Sequence, residues 1–161
     1  MSTVTRIFDL LAHSQQYFRK DDMIAGKAGG GWKKYSTDSF INIVDQVSRG
    51  LLAMGIKPGD RVAIMSPNRP EWNICDFAIM QIGAGQVPMY PSLAESDTRF
   101  ILEDAEVKMI FVDDRPLYDK ISKIKAECAY NVSIFTFNQL EGADHWKQLA
   151  ELGRQHEDID L

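Results

Sequence analysis

The stretch GDRVAIMSPNRPEW, Gly59 to Trp72, holds a turn, a strand, a polar loop and a helix start in succession. Arg61 to Met65 reads as the strand, and Pro70 sits where a helix tolerates proline, in its first turn. Between them lies a loop rich in hydrogen-bonding groups: Ser66, Asn68, Arg69 and Glu71. A strand that delivers such a loop to a helix N-terminus is how many α/β enzymes build a site. The simpler expectation is a structural corner. In it, Asn68 and Glu71 bond the exposed amides of the helix that follows, while Arg69 and Trp72 cover its first turn.

Working outward, the same strand–helix alternation repeats. Pro70 to Ile82 is predicted helical and is stopped by Gly83 and Gly85. A short strand at Gln86–Met89 follows. Ser92-Leu93-Ala94-Glu95 has the form of a capping box for a helix running to about Ala105. Lys108–Val112 is an apolar strand, 116–128 a helix, Val132–Phe137 a strand, and Asp144–Gln155 a last helix. Upstream, Phe40, Ile43, Val44, Val47, Leu51 and Met54 keep one helical face apolar. Ser36 or Thr37 caps that helix, and Gly55 with Pro58 ends it. The glycines Gly29 to Gly31 divide two short strands within 22–36, a hairpin. Thr5 to Phe18 is a one-sided helix. The fold class implied is α/β: a mostly parallel sheet with helices on both faces, spanning 37–157, plus a small N-terminal hairpin.

Composition limits the function. At 161 residues the chain can bury a real core, and its net charge of −5 leaves no basic stripe for nucleic acid. Cys75 and Cys128 are far apart and form no Cys-x-x-Cys pair, which argues against a zinc site or a dithiol; Cys75 reads as a small core residue. The start lacks the basic and apolar blocks of a signal peptide. The most apolar region, Trp72 to Tyr90, is broken by Asp76, Gln81 and Gln86, short of the roughly 20 apolar residues a membrane span needs. A cytoplasmic location is the expectation.

The sequence offers little recognisable chemistry. The one Gly-Lys pair, Gly26-Lys27, lacks both the spacing and the Ser/Thr of a phosphate-cradling P-loop. Gly83-Ala84-Gly85 ends a helix, where a dinucleotide fingerprint would open one. His13, His145 and His156 fall in predicted helices without metal spacing, and no Gly-x-Ser-x-Gly elbow occurs. Asp113 and Asp114 follow a strand at its carboxyl edge, yet adjacent strand residues point to opposite faces. Capping before Pro116 is their plainer role. No catalytic residue and no metal ligand set is assigned.

Four motifs in order change this picture. GWKKYSTDSF, LLAMGIKPGDRVAIMSPNRPEW, AIMQIGAGQVPMYPSL and RFILEDAEVKMIFVDD together resemble the N-terminal part of adenylate-forming (AMP-binding) acyl-CoA synthetases, with the closest look being that of long-chain fatty-acid–CoA ligases. The resemblance runs from about Trp32 to Asp114. It implies a parent enzyme that uses ATP and Mg²⁺ to convert a fatty acid to an acyl-adenylate, and then CoA to give the thioester. The family's phosphate loop, hinge and C-terminal domain have no counterpart here. The chain is therefore expected to be an N-terminal segment, inactive alone, that meets fatty acid, ATP and CoA through the rest of the enzyme. Peripheral membrane contact and self-association through an exposed apolar face are compatible with that expectation. The resemblance also implies CoA-nucleotide contacts at Tyr90, Pro91 and Ser92, with Arg115 or Lys120 as phosphate-binding cations. The alternative reading is a self-contained α/β module that binds a nucleotide or a partner without catalysis.

Overall fold

The computed structural model describes residues 4–127 and 131–161. Cys128, and with it the expected last residue of the 116–128 helix, lies outside the described residues. The elements run α1 (Asp9–Tyr17), β1 (Ile24–Ala28), β2 (Gly31–Tyr35), α2 (Thr37–Ala53), β3 (Arg61–Met65), α3 (Pro70–Gln81), β4 (Gly85–Met89), α4 (Glu95–Asp104), β5 (Met109–Val112), α5 (Arg115–Glu127), β6 (Ser133–Thr136), β7 (Asp144–His145) and α6 (Lys147–Gln155). β1 and β2 pair antiparallel as a separate hairpin. The other five strands form one parallel sheet in the order β4-β3-β5-β6-β7.

Alternate residues of the sheet feed two cores. Val62, Ile64, Met109 and Phe111 face α2, α3 and α6. Ala63, Met65, Ile110 and Val112 face α4 and α5. A strand covered on both faces reads as the unbroken apolar run seen at Val62–Met65. At the edge, Gly85 N donates to Asp60 O, which sets the odd-numbered residues of β4 toward β3. Pro88 therefore turns its missing N–H outward, where no ladder bond is lost.

Ser36 caps α2 as expected, its Oγ accepting from Ser39 N at 3.1 Å. Helices α2 and α6 approach backbone to backbone. A Cβ on Gly50 would lie 2.0 Å from Leu149 O, and one on Gly153 would lie 1.8 Å from Gln46 O. Only residues without a side chain fit at that crossing.

Two local expectations are corrected. The last helix begins at Lys147, because Asp144 and His145 extend the sheet as β7 opposite Phe135 and Thr136. Thr136 Oγ1 donates to Asp144 O at 3.0 Å and Trp146 N to Thr136 O at 3.0 Å, which gives an otherwise open sheet edge its partners. The Ser92 capping box does not form. Residues Tyr90 to Leu93 make a turn closed by Leu93 N on Tyr90 O at 3.2 Å, and α4 starts at Glu95 after an Ala94 N-cap with no side-chain bond. Glu95 instead pairs with Lys123 at 2.6 Å, on α5.

Candidate functional site at the carboxyl edge of the sheet

The chain leaves β3 for β4 on one side and returns to place β5 on the other. Loops after the carboxyl ends of β3 and β5 thus diverge and leave a crevice, the place where open α/β sheets collect ligands. The Ser66–Arg69 loop and Asp113 border it.

Arg69 occupies this crevice. Its Nε donates to Glu71 Oε2 at 3.0 Å, and Nη1 bonds both Asp113 Oδ1 and Asn138 Oδ1, the latter at 3.0 Å. Its guanidinium lies 5.1 Å over the Phe137 ring. Glu71 completes the cluster: Oε1 accepts from Tyr35 Oη at 3.1 Å and faces Lys33 Nζ at 3.7 Å. One charged cluster therefore ties β2, α3, β5 and the loop after β6 together. The expected corner is corrected accordingly. Glu71 does take support from its own backbone N–H in the first turn of α3, but it is chiefly ion-paired, as is Arg69, and the Arg69 N-cap carries no side-chain bond. The reason is geometric. The hairpin and the β5 loop bring opposite charges and a buried phenol to the same corner, and paired charge outcompetes a solvated cap.

The electrostatics follow from that pairing. Burial opposes ionisation of Glu71 more than any other single effect, yet the Arg69 hydrogen bond, the residue's own backbone N–H and the charges of Arg69 and Lys33 together hold the carboxyl below its ordinary value. Arg69 is likewise held protonated, its desolvation offset by Glu71 and Asp113. Desolvation, reinforced by Glu71, pushes the Tyr35 phenol far up, so it remains a donor. Behind the cluster, buried Cys75 has its thiol pushed up by desolvation and is an inert core residue.

Two clefts open beside the cluster and share Asn68. The first, about 330 Å³, lies between the hairpin, the start of α3, Asp113 and Asn138. The second, about 270 Å³, is walled by Ser66, Asn68, Trp72, Pro88, Met89 and Tyr90. Tyr90 is 78% exposed at its rim. Among the residues expected to contact a nucleotide, the structure brings Lys120 to the Tyr90–Ser92 turn: its Nζ donates to Leu93 O. Pro91 is half-buried and Ser92 exposed in that turn. Arg115 turns elsewhere, with Nη2 donating to Glu141 O at 2.6 Å and the guanidinium 5.4 Å from the Tyr118 ring. Asp114 takes the capping role expected of it, accepting from Leu117 N at 3.1 Å. Asp113 does not cap; it faces Arg69.

His145 lies in β7, not in a helix, and its Nε2 is 3.1 Å from Phe137 O. Desolvation lowers its pKa. Among the described residues, no group of three His, Cys, Asp or Glu comes together to hold a metal, and no helix is long and apolar enough to cross a membrane. Sequence reasoning missed Tyr35 and Asn138 as members of the Arg69 cluster. They lie 36 and 69 residues from their partners, so local pattern carries no signal for them.

The family model described as AMP-binding enzyme matches residues 11–158. A long-chain-fatty-acid–CoA ligase of Mycobacterium bovis is 36% identical over 84 residues, covering 52% of this chain and 14% of that protein. A crotonobetaine/carnitine–CoA ligase of Escherichia fergusonii is 27% identical over 109 residues, 66% of this chain and 21% of that protein. Among solved structures, an anthranilate CoA ligase in complex with anthranoyl-AMP superposes with a TM-score of 0.75 at 18% identity, over 91% of this chain and 27% of that one. A long-chain-fatty-acid–CoA ligase from Archaeoglobus fulgidus gives 0.75 at 16% identity, over 91% and 29%. The chain thus spans about one seventh of the first of these curated relatives.

Proposed function

Since the chain belongs to the AMP-binding enzyme family, we propose that it forms the N-terminal segment of a fatty-acid–CoA ligase and supplies part of the surface on which CoA rests. The family activates a carboxylate as its adenylate with ATP and Mg²⁺ and passes the acyl group to the CoA thiol. The long-chain fatty acid as substrate is supported by the 36% identity to the mycobacterial ligase.

The observation that carries the reading is the Tyr90–Leu93 turn with the Lys120 ammonium seated on it. A ring 78% exposed can stack on a base, and a cation in reach can meet a phosphate. Pro91 and Ser92 shape the turn between them, just ahead of α4, whose N-terminus adds a partial positive charge. Arg115, at the start of α5, is turned toward the Glu141 carbonyl, which leaves Lys120 as the cation on the turn. This reading assigns the chain's own residues no step in adenylate chemistry, and the segment alone is expected to be inactive.

The test divides the two half-reactions. In the enzyme that carries this segment, Lys120→Glu should raise KM for CoA about tenfold or more, the effect of losing one charge-assisted contact. Pyrophosphate exchange measured without CoA should stay near its original rate. A fall in both half-reactions would mean a damaged scaffold, and no change in either for Lys120→Glu and Arg115→Glu would remove the CoA reading. The 161-residue chain alone should give no fatty-acid-dependent ATP–pyrophosphate exchange; measurable exchange would refute the segment reading.

A further inference from the structure

We infer that the 330 Å³ cleft between the hairpin and the switch-point crevice is a binding site for a phosphate group, separate from the Tyr90–Lys120 turn. Glu71 spends both oxygens on protein donors, Oε1 on Tyr35 and Oε2 on Arg69. Asp113 Oδ1 is taken by Arg69 and Ser66. The donors around the cleft are less fully used. Arg69 engages Nε and Nη1 with the protein, and its Nη2 makes no hydrogen bond among the described residues. Asn138 accepts through Oδ1, leaving its amide N–H₂ available. Lys33, with its side chain 44% exposed, sits at a loose 3.7 Å from Glu71. Lys27 borders the cleft as well, but it pairs across the hairpin with Trp32, whose ring its ammonium approaches at 5.8 Å, so its side chain lies on the other hairpin face from Lys33.

A cleft with a lysine, an arginine fork and an amide, whose carboxylates are mostly already paired, calls for an acceptor-rich ligand. A carboxylate offers about four lone-pair sites, whereas a phosphate offers more, in a tetrahedral spread that suits donors arriving from separate elements. Asp113 Oδ2, which has no partner among the described residues, matches the one hydroxyl that a hydrogen phosphate carries. The position agrees with the general rule for α/β sheets, outside the strand ends at the reversal of strand order. Lys33 comes from the hairpin, so the ligand would also clasp the hairpin to the sheet.

The experiment uses the 161-residue chain labelled for NMR, titrated at constant ionic strength with inorganic phosphate, glycerol 3-phosphate and acetate. The expected result is saturable binding of either phosphate compound, with the largest shifts at the Asn68 and Asn138 side-chain amides and at Arg69. Equal affinity for the two would identify the free anion, and tighter binding of glycerol 3-phosphate would identify an ester; both support the site. Lys33→Gln, at an exposed position outside the core, should weaken binding at least tenfold, whereas Lys27→Gln, on the other face of the hairpin, should not. Lys120→Gln should leave it unchanged, because that residue belongs to the CoA reading. The proposal is overturned if neither phosphate compound saturates, if acetate binds as well as they do, or if Lys120→Gln abolishes binding while Lys33→Gln retains it.

Discussion

Gly153→Ala is the substitution for which the structure gives the sharpest expectation. Alanine is the better helix former, and at an open helix position the change would stabilise by about 1 kcal/mol. Here the added Cβ would meet Gln46 O at 1.8 Å, Gln46 C at 2.7 Å and Gly50 N at 2.9 Å. All three are backbone atoms, so no side chain can swing aside. Relief requires α6 to move off α2 by more than 1 Å, which loosens Leu149 and Ala150 against Val47 and Leu51 in the first core. Overpacking costs about 1–3 kcal/mol and occasionally more, and a backbone-on-backbone clash belongs at the upper end. After subtracting the helical gain, the net loss is about 2 kcal/mol, or roughly 4–8 °C in Tm for a chain of this size. The shift has a route to the site, because Trp146 stacks edge-on to Phe137 at 6.4 Å and Phe137 lies under Arg69. Thermal and urea unfolding of the two proteins side by side is the assay. An unchanged or raised Tm would refute the claim that these helices touch through their backbones.

Tyr35→Phe should destabilise by about 2 kcal/mol in urea unfolding, because a hydrogen bond from a buried phenol to the charged Glu71 is removed while the carboxylate stays. His145 has its pKa lowered by desolvation, so the unfolded chain binds the proton more readily; stability is therefore present above the unfolded value of about 6.5 and lost as pH falls below it. Tm measured from pH 7.5 to 5.5 should fall, and His145→Asn should flatten that slope; an unchanged slope would remove His145 as its source. Glu71, depressed by Arg69, contributes stability above the unfolded carboxyl value of about 4.3 that is lost as pH falls through its own lower one, and Glu71→Gln should remove that acid-limb dependence in the same Tm series.

The scaffold was legible because its signals are local. An apolar run at Val62–Met65, a proline at the first turn of α3, and a glycine at Gly55 with φ +85° each fix a boundary within a few residues. The parallel sheet followed from strand–helix alternation, and the family from four motifs in order. What failed had a common cause. Asp144 and His145 read as helix by sequence and became β7 because β6 offered them an open edge. Ser92 had the spacing of a cap and lost it to a turn that begins two residues earlier and takes Ser92 into its centre. In both, a tertiary partner overrode a local preference.

The loop after β3 shows why a site is harder to read than its scaffold. From sequence, Asn68, Arg69 and Glu71 are ordinary helix-start residues, and capping is the economical use of them. The fold adds Asp113 from 44 residues downstream, Asn138 from 69, and Tyr35 from 36 upstream of Glu71. None of these separations leaves a periodic trace. Once they meet, Arg69 is better satisfied by two carboxylates and an amide than by solvent, and α3 is left with proline in place of a side-chain cap. The identity of each residue was visible throughout; its task was set by which loops the strand reversal brought together. That same reversal leaves the crevice open beside the cluster, so the charges that lock the hairpin to the sheet also line the cleft a phosphate would enter.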